Sequence, residues 1–385
     1  MDQNSGHVGL SRCLRTRSNS LGDALRADCI CRRYTQPLEI DVFLENSWYV
    51  HCWAHDVPAE GRLLGRVIIN QPVAVWRDEQ GSFRAVEDRC PHRHAPLSMG
   101  RVVGNNLQCM YHGMTFGPDG KCLHMPLLDT PPDVRIRTYP VVMQDDWIWV
   151  WMGKPDAADV SLIPKAYGIS DPTRPMRSNS IEYDAHYQLV HDNLCDLSHV
   201  DFVHETSLRP ATGAYWSQSA PRIASKNQAI RFERWFENAD LPGSPGETVD
   251  AWLAYDFAVP GVFILSGARF PAGTAARLQY KEPVGEEPII RNIEQQAVTP
   301  ISETRTAYHY ATGLIGSTPE ITRKLAERMD VVMKTFEEDR TIIEAQQRIW
   351  NLTDSSAKKV FLPQDKGPFL MRKLMERLIE KEQRG

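Results

Sequence analysis

Short runs in which apolar and aromatic residues dominate recur from residue 48 onward. Runs at 48–53, 64–70, 73–76 and 83–87 are separated by turn residues and predict β-strands. Gln80-Gly81 lies between the last two as a weak hairpin signal, and Pro118-Asp119-Gly120-Lys121 reads as a turn. The most apolar stretch, Trp147-Ile148-Trp149-Val150-Trp151-Met152, closes this small antiparallel β domain, and Gly153-Lys154-Pro155 follows as a linker. Past 156 the pattern changes. A helical segment is expected over 188–203, then strands at 228–236, 251–258, 261–266, 274–281, 289–298 and 304–312, then helices over 318–350 and 366–383. Sequential strands with short connections predict one antiparallel sheet. The expected class is α+β: an N-terminal antiparallel β domain over 43–155 and an α+β domain over 156–385 with an antiparallel sheet and C-terminal helices. Residues 1–42 lack this periodicity. They are rich in Ser and Arg, carry no apolar signal-peptide core, and are expected to form a flexible extension. Cys29-Ile30-Cys31 within it has no second pair to complete a metal site.

The 385 residues suffice for two domains. A net charge of −5 argues against a nucleic-acid binder, which carries a basic excess. The apolar run at 147–152 is only a strand long, so no membrane span is expected. Eight cysteines scattered over such a length do not make a disulfide scaffold, which points to a reducing, cytoplasmic setting.

Cysteines at two of these positions have metal spacing. Cys90-Pro91-His92 and, sixteen residues on, Cys109-Met110-Tyr111-His112 give a C-x-H…C-x-x-H set. Two such loops can clamp a [2Fe–2S] cluster in which thiolates hold one iron and imidazoles the other. A Cys₂His₂ zinc site uses the same ligands, but it usually pairs like with like, whereas each arm here carries one Cys and one His. With Arg93, Ala95-Pro96-Leu97-Ser98, Gly100 and Gly113 around these ligands, the stretch resembles the Rieske domain of Rieske non-haem iron oxygenases. The resemblance implies cluster ligands Cys90, His92, Cys109 and His112, with His94 outside the set.

The second domain contains Asn193-Leu194-Cys195-Asp196-Leu197-Ser198-His199, with His204 five residues further. Five steps turn a regular helix about 140° past one full turn, so the two histidines meet only if the helix is kinked or irregular. The segment resembles the mononuclear-iron segment of the same family, whose third ligand is a distant carboxylate. Within Phe336-Glu337-Glu338-Asp339-Arg340 the match is Asp339, with Glu338 as its rival. His199, His204 and Asp339 would then form a two-His-one-carboxylate triad for Fe(II) with open positions for O₂. Asn193 would be a weak further partner. By the same resemblance Asp196 bridges a neighbouring subunit's Rieske histidine, here His112, to His199 or His204, in a head-to-tail homotrimer. Asp192 is a candidate hydrogen-bonder to a ligand, with an ordinary polar helix residue as the readier reading.

Within the family the chain resembles the vanillate O-demethylase and dicamba monooxygenase group. That implies O₂-dependent hydroxylation next to oxygen or nitrogen on a small aromatic substrate, followed by dealkylation. No flavin or nicotinamide fingerprint is present, so an external reductase or ferredoxin is implied. Arg89, Arg93, Arg101 and Lys121 flank the cluster arms and are candidates for its docking face. Two alternatives are a ring cis-dihydroxylating dioxygenase and a non-catalytic Rieske electron carrier. The carrier predicts no second iron site. Trp252, Phe257, Phe263 and Leu265 lie in the strands expected to line a pocket, and such residues are more often core.

Overall fold

A computed structural model describes residues 42–59, 61–208, 216–240, 246–315, 319–354 and 357–384. The expected extension and its Cys29-Ile30-Cys31 pair lie outside the described residues. The β domain begins with β1 (Trp48–Trp53), β2 (Leu64–Ile68), β3 (Gln71–Arg77) and β4 (Phe83–Glu87). It continues through β5 (Arg101–Val103), β6 (Asn106–Gln108), β7 (Thr115–Phe116) and β8 (Cys122–His124). It ends with β9 (Thr138–Tyr139), β10 (Val141–Gln144) and β11 (Trp147–Trp151). These form three small sheets, ordered β1-β11-β10, β2-β3-β4-β9 and β5-β6-β7-β8. The last holds both Cys/His loops, one entering β5 and the other joining β6 to β7. Its strands have two or three residues each, too short to show an alternating pattern in sequence.

The second sheet has seven antiparallel strands: β12 (Met176–Tyr183), β13 (Arg222–Lys226), β14 (Ala229–Asp240), β15 (Thr248–Ala258), β16 (Val262–Pro271), β17 (Ile290–Ser302) and β18 (Arg305–Leu314). Their order is β12-β18-β17-β16-β15-β14-β13. The helices are α1 (Tyr187–Cys195), α2 (Val200–Val203), α3 (Thr274–Arg277), α4 (Pro319–Leu352) and α5 (Lys366–Arg384). None of the described helices is long and apolar enough to cross a membrane.

Because strand side chains alternate, the sheet has two distinct faces. Phe232, Tyr255, Phe257, Phe263, Tyr308 and Tyr310 pack on one face against Leu189, Leu194, Phe336, Ile343 and Met371 of the helices. Ala258, Val262, Ile293, Ala297 and Ala311 on the other face pack against Trp48, Trp53, Trp147, Trp149 and Trp151 of the β domain. None of these five tryptophans is more than 2% exposed. Burying each is worth at most roughly 4–6 kcal/mol of gross hydrophobic free energy. The small alanines opposite make room for the large rings, so both domains share a continuous core.

Three expectations change. The strand expected at 274–281 is instead α3 and a following turn. Gly273 adopts φ 87°, which ends the extended run, and Thr274 Oγ1 donates to the Pro271 carbonyl at 2.6 Å. The sheet has two strands beyond the expected ones, β12 and β13, and these are its two edges. The helix expected over 188–203 is broken at Asp196.

Candidate metal centres

The two Cys/His loops share one hydrogen-bond pattern. Cys90 N–H donates to the Ala95 carbonyl at 2.9 Å, and His94 N–H donates back to the Cys90 carbonyl at 2.9 Å. Cys109 N–H donates to the Met114 carbonyl at 2.9 Å, and Gly113 N–H donates to the Cys109 carbonyl at 3.0 Å. The residue four past each cysteine closes the turn with positive φ, 56° at His94 and 75° at Gly113. His94 is thus the structural counterpart of Gly113. Both cysteines are 2% exposed. Burial raises the Cys90 thiol above its usual value, and the neighbouring Cys109 raises it further. A cation between the two sulfurs removes that penalty. The rings of His92 and His112 lie 4.6 Å apart and are exposed. Desolvation and the charges of His92 and Arg93 hold the His112 imidazole below its usual value, which favours the neutral form that binds iron. Two thiols below and two imidazoles above, on paired loops, fit a Rieske [2Fe–2S] cluster.

The second centre lies where α1 ends. Asp196 leaves helical geometry at φ −135°, ψ 96°. Its N–H donates to the Asp192 carbonyl at 3.1 Å, and its Oδ1 accepts from Ser198 N–H at 2.9 Å. It therefore closes α1 and caps the 3₁₀ turn Leu197–His199 that leads into α2. This break solves the five-residue spacing: the His199 and His204 rings come within 5.3 Å. His199, His204 and Asp339 of α4 present ligand atoms that all lie within 4.8 Å of one another. Asp339 Oδ1 is 3.6 Å from His199 Nε2 and 3.3 Å from His204 Nε2.

Each imidazole has its outer nitrogen committed elsewhere. His199 Nδ1 lies 2.6 Å from the Asp196 carbonyl, which can only accept, so Nδ1 carries the proton and Nε2 is left for metal. His204 Nδ1 lies 3.0 Å from Glu338 Oε2 in the same way. Glu338 also accepts from Thr206 Oγ1 at 2.6 Å and Ser207 Oγ at 2.5 Å. The rival carboxylate thus stands behind His204 rather than beside Asp339, an outer partner that orients a ligand. Burial alone would lower the His204 imidazole, but the Asp339 and Glu338 carboxylates outweigh it and raise it. Asn193 Nδ2 donates to Asp339 Oδ1 at 2.9 Å and sits 3.3 Å from His199 Nε2. Asp192 points away to Arg372 of α5, which donates to it through Nε at 3.1 Å and again through Nη2. Two imidazoles and a carboxylate on one side of a point fit a facial triad for Fe(II).

The sequence of residues 47–140 matches the Rieske [2Fe-2S] domain, and residues 183–381 match the vanillate O-demethylase oxygenase C-terminal domain. The chain belongs to the Rieske non-haem iron oxygenases. It is 33% identical to the iron-sulfur subunit of the toluene-4-sulfonate monooxygenase system of Comamonas testosteroni, over 89% of this chain and 99% of that protein. It is 30% identical to the oxygenase component of dicamba O-demethylase of Stenotrophomonas maltophilia, over 80% and 88% of the two. The crystal structure of dicamba monooxygenase bound to dicamba superposes with TM-score 0.75 at 26% identity, covering 89% of this chain and 99% of that one. The cofactors of this oxygenase are therefore a Rieske [2Fe–2S] cluster and a mononuclear iron, and its relatives are oxygenase components that work with separate electron donors.

Of the residues singled out in sequence, those for the iron converge, and Glu338 acquires a role that spacing could not separate from ligation. Thr206 and Ser207 were missed. Small hydroxyl residues after a ligand carry no pattern of their own. The expected core residues Phe257, Phe263 and Leu265 are in the main core, and Trp252 packs on Trp235.

Proposed function

We propose that this chain is the terminal oxygenase of a multicomponent monooxygenase that removes an alkyl group from oxygen or nitrogen on a small aromatic compound. The observation that carries this reading is the convergence of His199, His204 and Asp339 in a chain that also bears the paired Cys/His loops. Relatives named as a dicamba O-demethylase and a chloroacetanilide N-alkylformylase, each at least 30% identical, support the reaction type. The sequence-based division into residues 1–42, 43–155 and 156–385 is part of this reading.

We assign Cys90, His92, Cys109 and His112 as cluster ligands and His199, His204 and Asp339 as iron ligands. When bound, the cluster stores single electrons and the iron activates O₂. The chain supplies the geometry. Asp196 fixes the helix break and, through its carbonyl, the His199 tautomer. Glu338 does the same for His204, and Asn193 steadies Asp339. Hydroxylation of the carbon next to the heteroatom gives a hemiacetal or hemiaminal, which breaks down to an aldehyde and the free phenol or amine.

Among the described residues no hydrogen bond, ion pair or ring contact joins His112 to the iron segment; its ring neighbours are His92 and Tyr111. Transfer between subunits is consistent with this separation. Met110 and Tyr111 on the second loop are 57% and 56% exposed, and Leu127, beside the Pro126 that lies over Gly113, is fully exposed. Phe202 on α2 is 72% exposed. Apolar surface at both ends of the electron's route suits a head-to-tail homotrimer in which Asp196 meets the next subunit's cluster loop. The electrons come from an external reductase or ferredoxin that docks near the exposed Arg89, Arg93, Arg101 and Lys121. A reducing cytoplasm suits the buried free thiols of Cys52, Cys122 and Cys195.

The test is a reconstituted screen of methoxy- and N-alkyl-aromatics with a surrogate reductase. Aldehyde released in step with O₂ consumption is expected. A cis-diol product, or two irons per chain instead of three, overturns the reading.

A further inference from the structure

The seam between the β domain and the seven-stranded sheet contains a cleft of about 160 Å³. His51 and Arg66 line it from β1 and β2, and Glu182, Thr299, Arg305 and His309 line it from the sheet. None of its lining residues belongs to either metal centre. Three hydrogen bonds hold the two walls together. Thr299 Oγ1 donates to the Val50 carbonyl at 2.8 Å, Ile69 N–H to the Pro300 carbonyl at 2.8 Å, and Asn70 N–H to the Ile301 carbonyl at 2.9 Å.

Each wall places a buried imidazole on this cleft. Strand β1 is buried at all six positions, and its register on β11 shifts between Val50 and Cys52. His51 is therefore the extra residue of a β-bulge, a device that re-aims a side chain. Its Nε2 lies 3.1 Å from the Val73 carbonyl, which only accepts, so Nε2 carries the proton and Nδ1 keeps a bare lone pair. On β18, strand alternation puts His309 on the face of Ala311, toward the tryptophan layer. His309 stands opposite Ser180 of β12, whose Oγ lies 2.8 Å from Nδ1. His51 and His309 are 2% and 4% exposed, yet His51 Nδ1 and His309 Nε2 have no hydrogen-bond partner. Buried polar atoms are nearly always satisfied, so two such nitrogens on one cleft point to something that meets both.

The charges around the cleft say what that is. Arg305 is matched by Glu182 and Asp184. Arg66 is exposed and has no hydrogen bond or ion pair among the described residues, so the unmatched charge is positive and favours an anion. Burial lowers the His51 and His309 imidazoles to about 4 and about 3, so both are neutral at pH 7 and above. A neutral His51 with its proton on Nε2 can only accept at Nδ1, so the anion must also have a proton to give. We propose that this cleft binds a small oxyanion that retains a proton, either hydrogen phosphate or bicarbonate. Its O–H donates to His51 Nδ1, and a charged oxygen pairs with Arg66. The Ser180 hydroxyl, turned to donate to His309 Nδ1, leaves His309 Nε2–H to donate to another oxygen. A water needs only about 10–15 Å³ of such space, so an ion of this size fits.

Calorimetric titration of the metal-loaded enzyme at pH 8 and fixed ionic strength tests this with inorganic phosphate, bicarbonate and sulfate. Sulfate is an oxyanion with no proton to give. The better of phosphate and bicarbonate names the source, and it is expected to bind about 10- to 100-fold more tightly than sulfate, the span of one hydrogen bond to a charged group. Arg66→Gln removes an exposed side chain with no partner in the fold and is expected to weaken that binding by a similar factor. His51→Gln, whose amide can donate, is expected to bring sulfate level with the better ion. The same ion is expected to raise the Tm of the wild type and not that of Arg66→Gln. Equal affinity for sulfate in the wild type, unchanged affinity in Arg66→Gln, or no binding of any of the three ions overturns the proposal, and these outcomes stand even if His51→Gln does not fold.

Discussion

Replacing Glu338 by alanine separates orienting from ligation at the mononuclear site. In the native chain the Glu338 carboxylate accepts from His204 Nδ1 at 3.0 Å and from the hydroxyls of Thr206 and Ser207 at 2.6 and 2.5 Å. His204 is 1% exposed, and Glu338 is the acceptor for its Nδ1 proton. An orphaned buried donor costs about 1–3 kcal/mol. The imidazole also loses the partner that fixes its tautomer, and such outer partners are worth about 10- to 100-fold in metal affinity, or roughly 1.4–2.7 kcal/mol. The two routes agree, so Glu338→Ala is expected to weaken Fe(II) binding about 10- to 100-fold. Glu338→Gln keeps an acceptor oxygen and falls between. The assay is Fe(II) titration of chelator-stripped enzyme against a chromogenic competitor. The visible spectrum of the cluster, which Glu338 does not touch, serves as an internal control. Asp339→Ala should abolish binding. Unchanged affinity in Glu338→Ala refutes the orienting role, and an iron-binding Asp339→Ala beside an iron-free Glu338→Ala reverses the ligand assignment.

Asp196 both caps a turn and is assigned as the bridge, so asparagine is the informative replacement. Asp196→Asn keeps the cap to Ser198 N–H and both metals, and turnover is expected to fall about 10- to 100-fold; near-normal coupled turnover would sink the bridging role. His51 and His309 are 2% and 4% exposed, and burial lowers them to about 4 and about 3. The folded state keeps them neutral while the unfolded chain protonates near pH 6.5, so stability is complete above that pH and lost as pH falls toward their folded values. Each is expected to cost about 2 kcal/mol at pH 5, read from denaturation curves at pH 5 and 7, and His309→Gln should flatten the dependence. A Cβ on Gly120, at φ 80°, would lie 2.2 Å from the Ile136 carbonyl. Gly120→Ala should cost at least about 1–2 kcal/mol in denaturant titration, with no loss marking the turn as pliable. Reduction by a ferredoxin should slow as salt rises if Arg89, Arg93, Arg101 and Lys121 guide it, and a salt-independent rate removes them from that role.

The cluster loops were legible because their ligands are local: each pair lies within four residues, and the loop pattern repeats. The iron site was harder, since Asp339 lies 135 positions beyond His204 and its neighbour Glu338 has the same charge. Only the register of α4 against α2 separates the two. Both edge strands of the large sheet were missed for one physical reason. Met176–Tyr183 and Arg222–Lys226 bury little and are written in polar residues, so they carry no alternating signal. The expected strand at 274–281 failed in the opposite sense. Ala275, Ala276, Arg277 and Leu278 are good helix formers, and Gly273 in the left-handed region turns the chain out of the sheet just before them.

The tryptophan layer between the two domains has a mechanical consequence. Trp48, Trp53, Trp147, Trp149 and Trp151 interlock with Ala258, Val262, Ile293, Ala297 and Ala311 as one core. The β domain and the seven-stranded sheet are therefore held together through this layer. The cluster loops are packed separately, through Cys90, Leu97, Leu107, Cys109 and Phe116 against Ala74, Trp76 and Val86 of β3 and β4. Within the chain, the span between the two centres is set when it folds. A change in that span would require this core to be remade, which makes the tryptophan layer a spacer as well as a core.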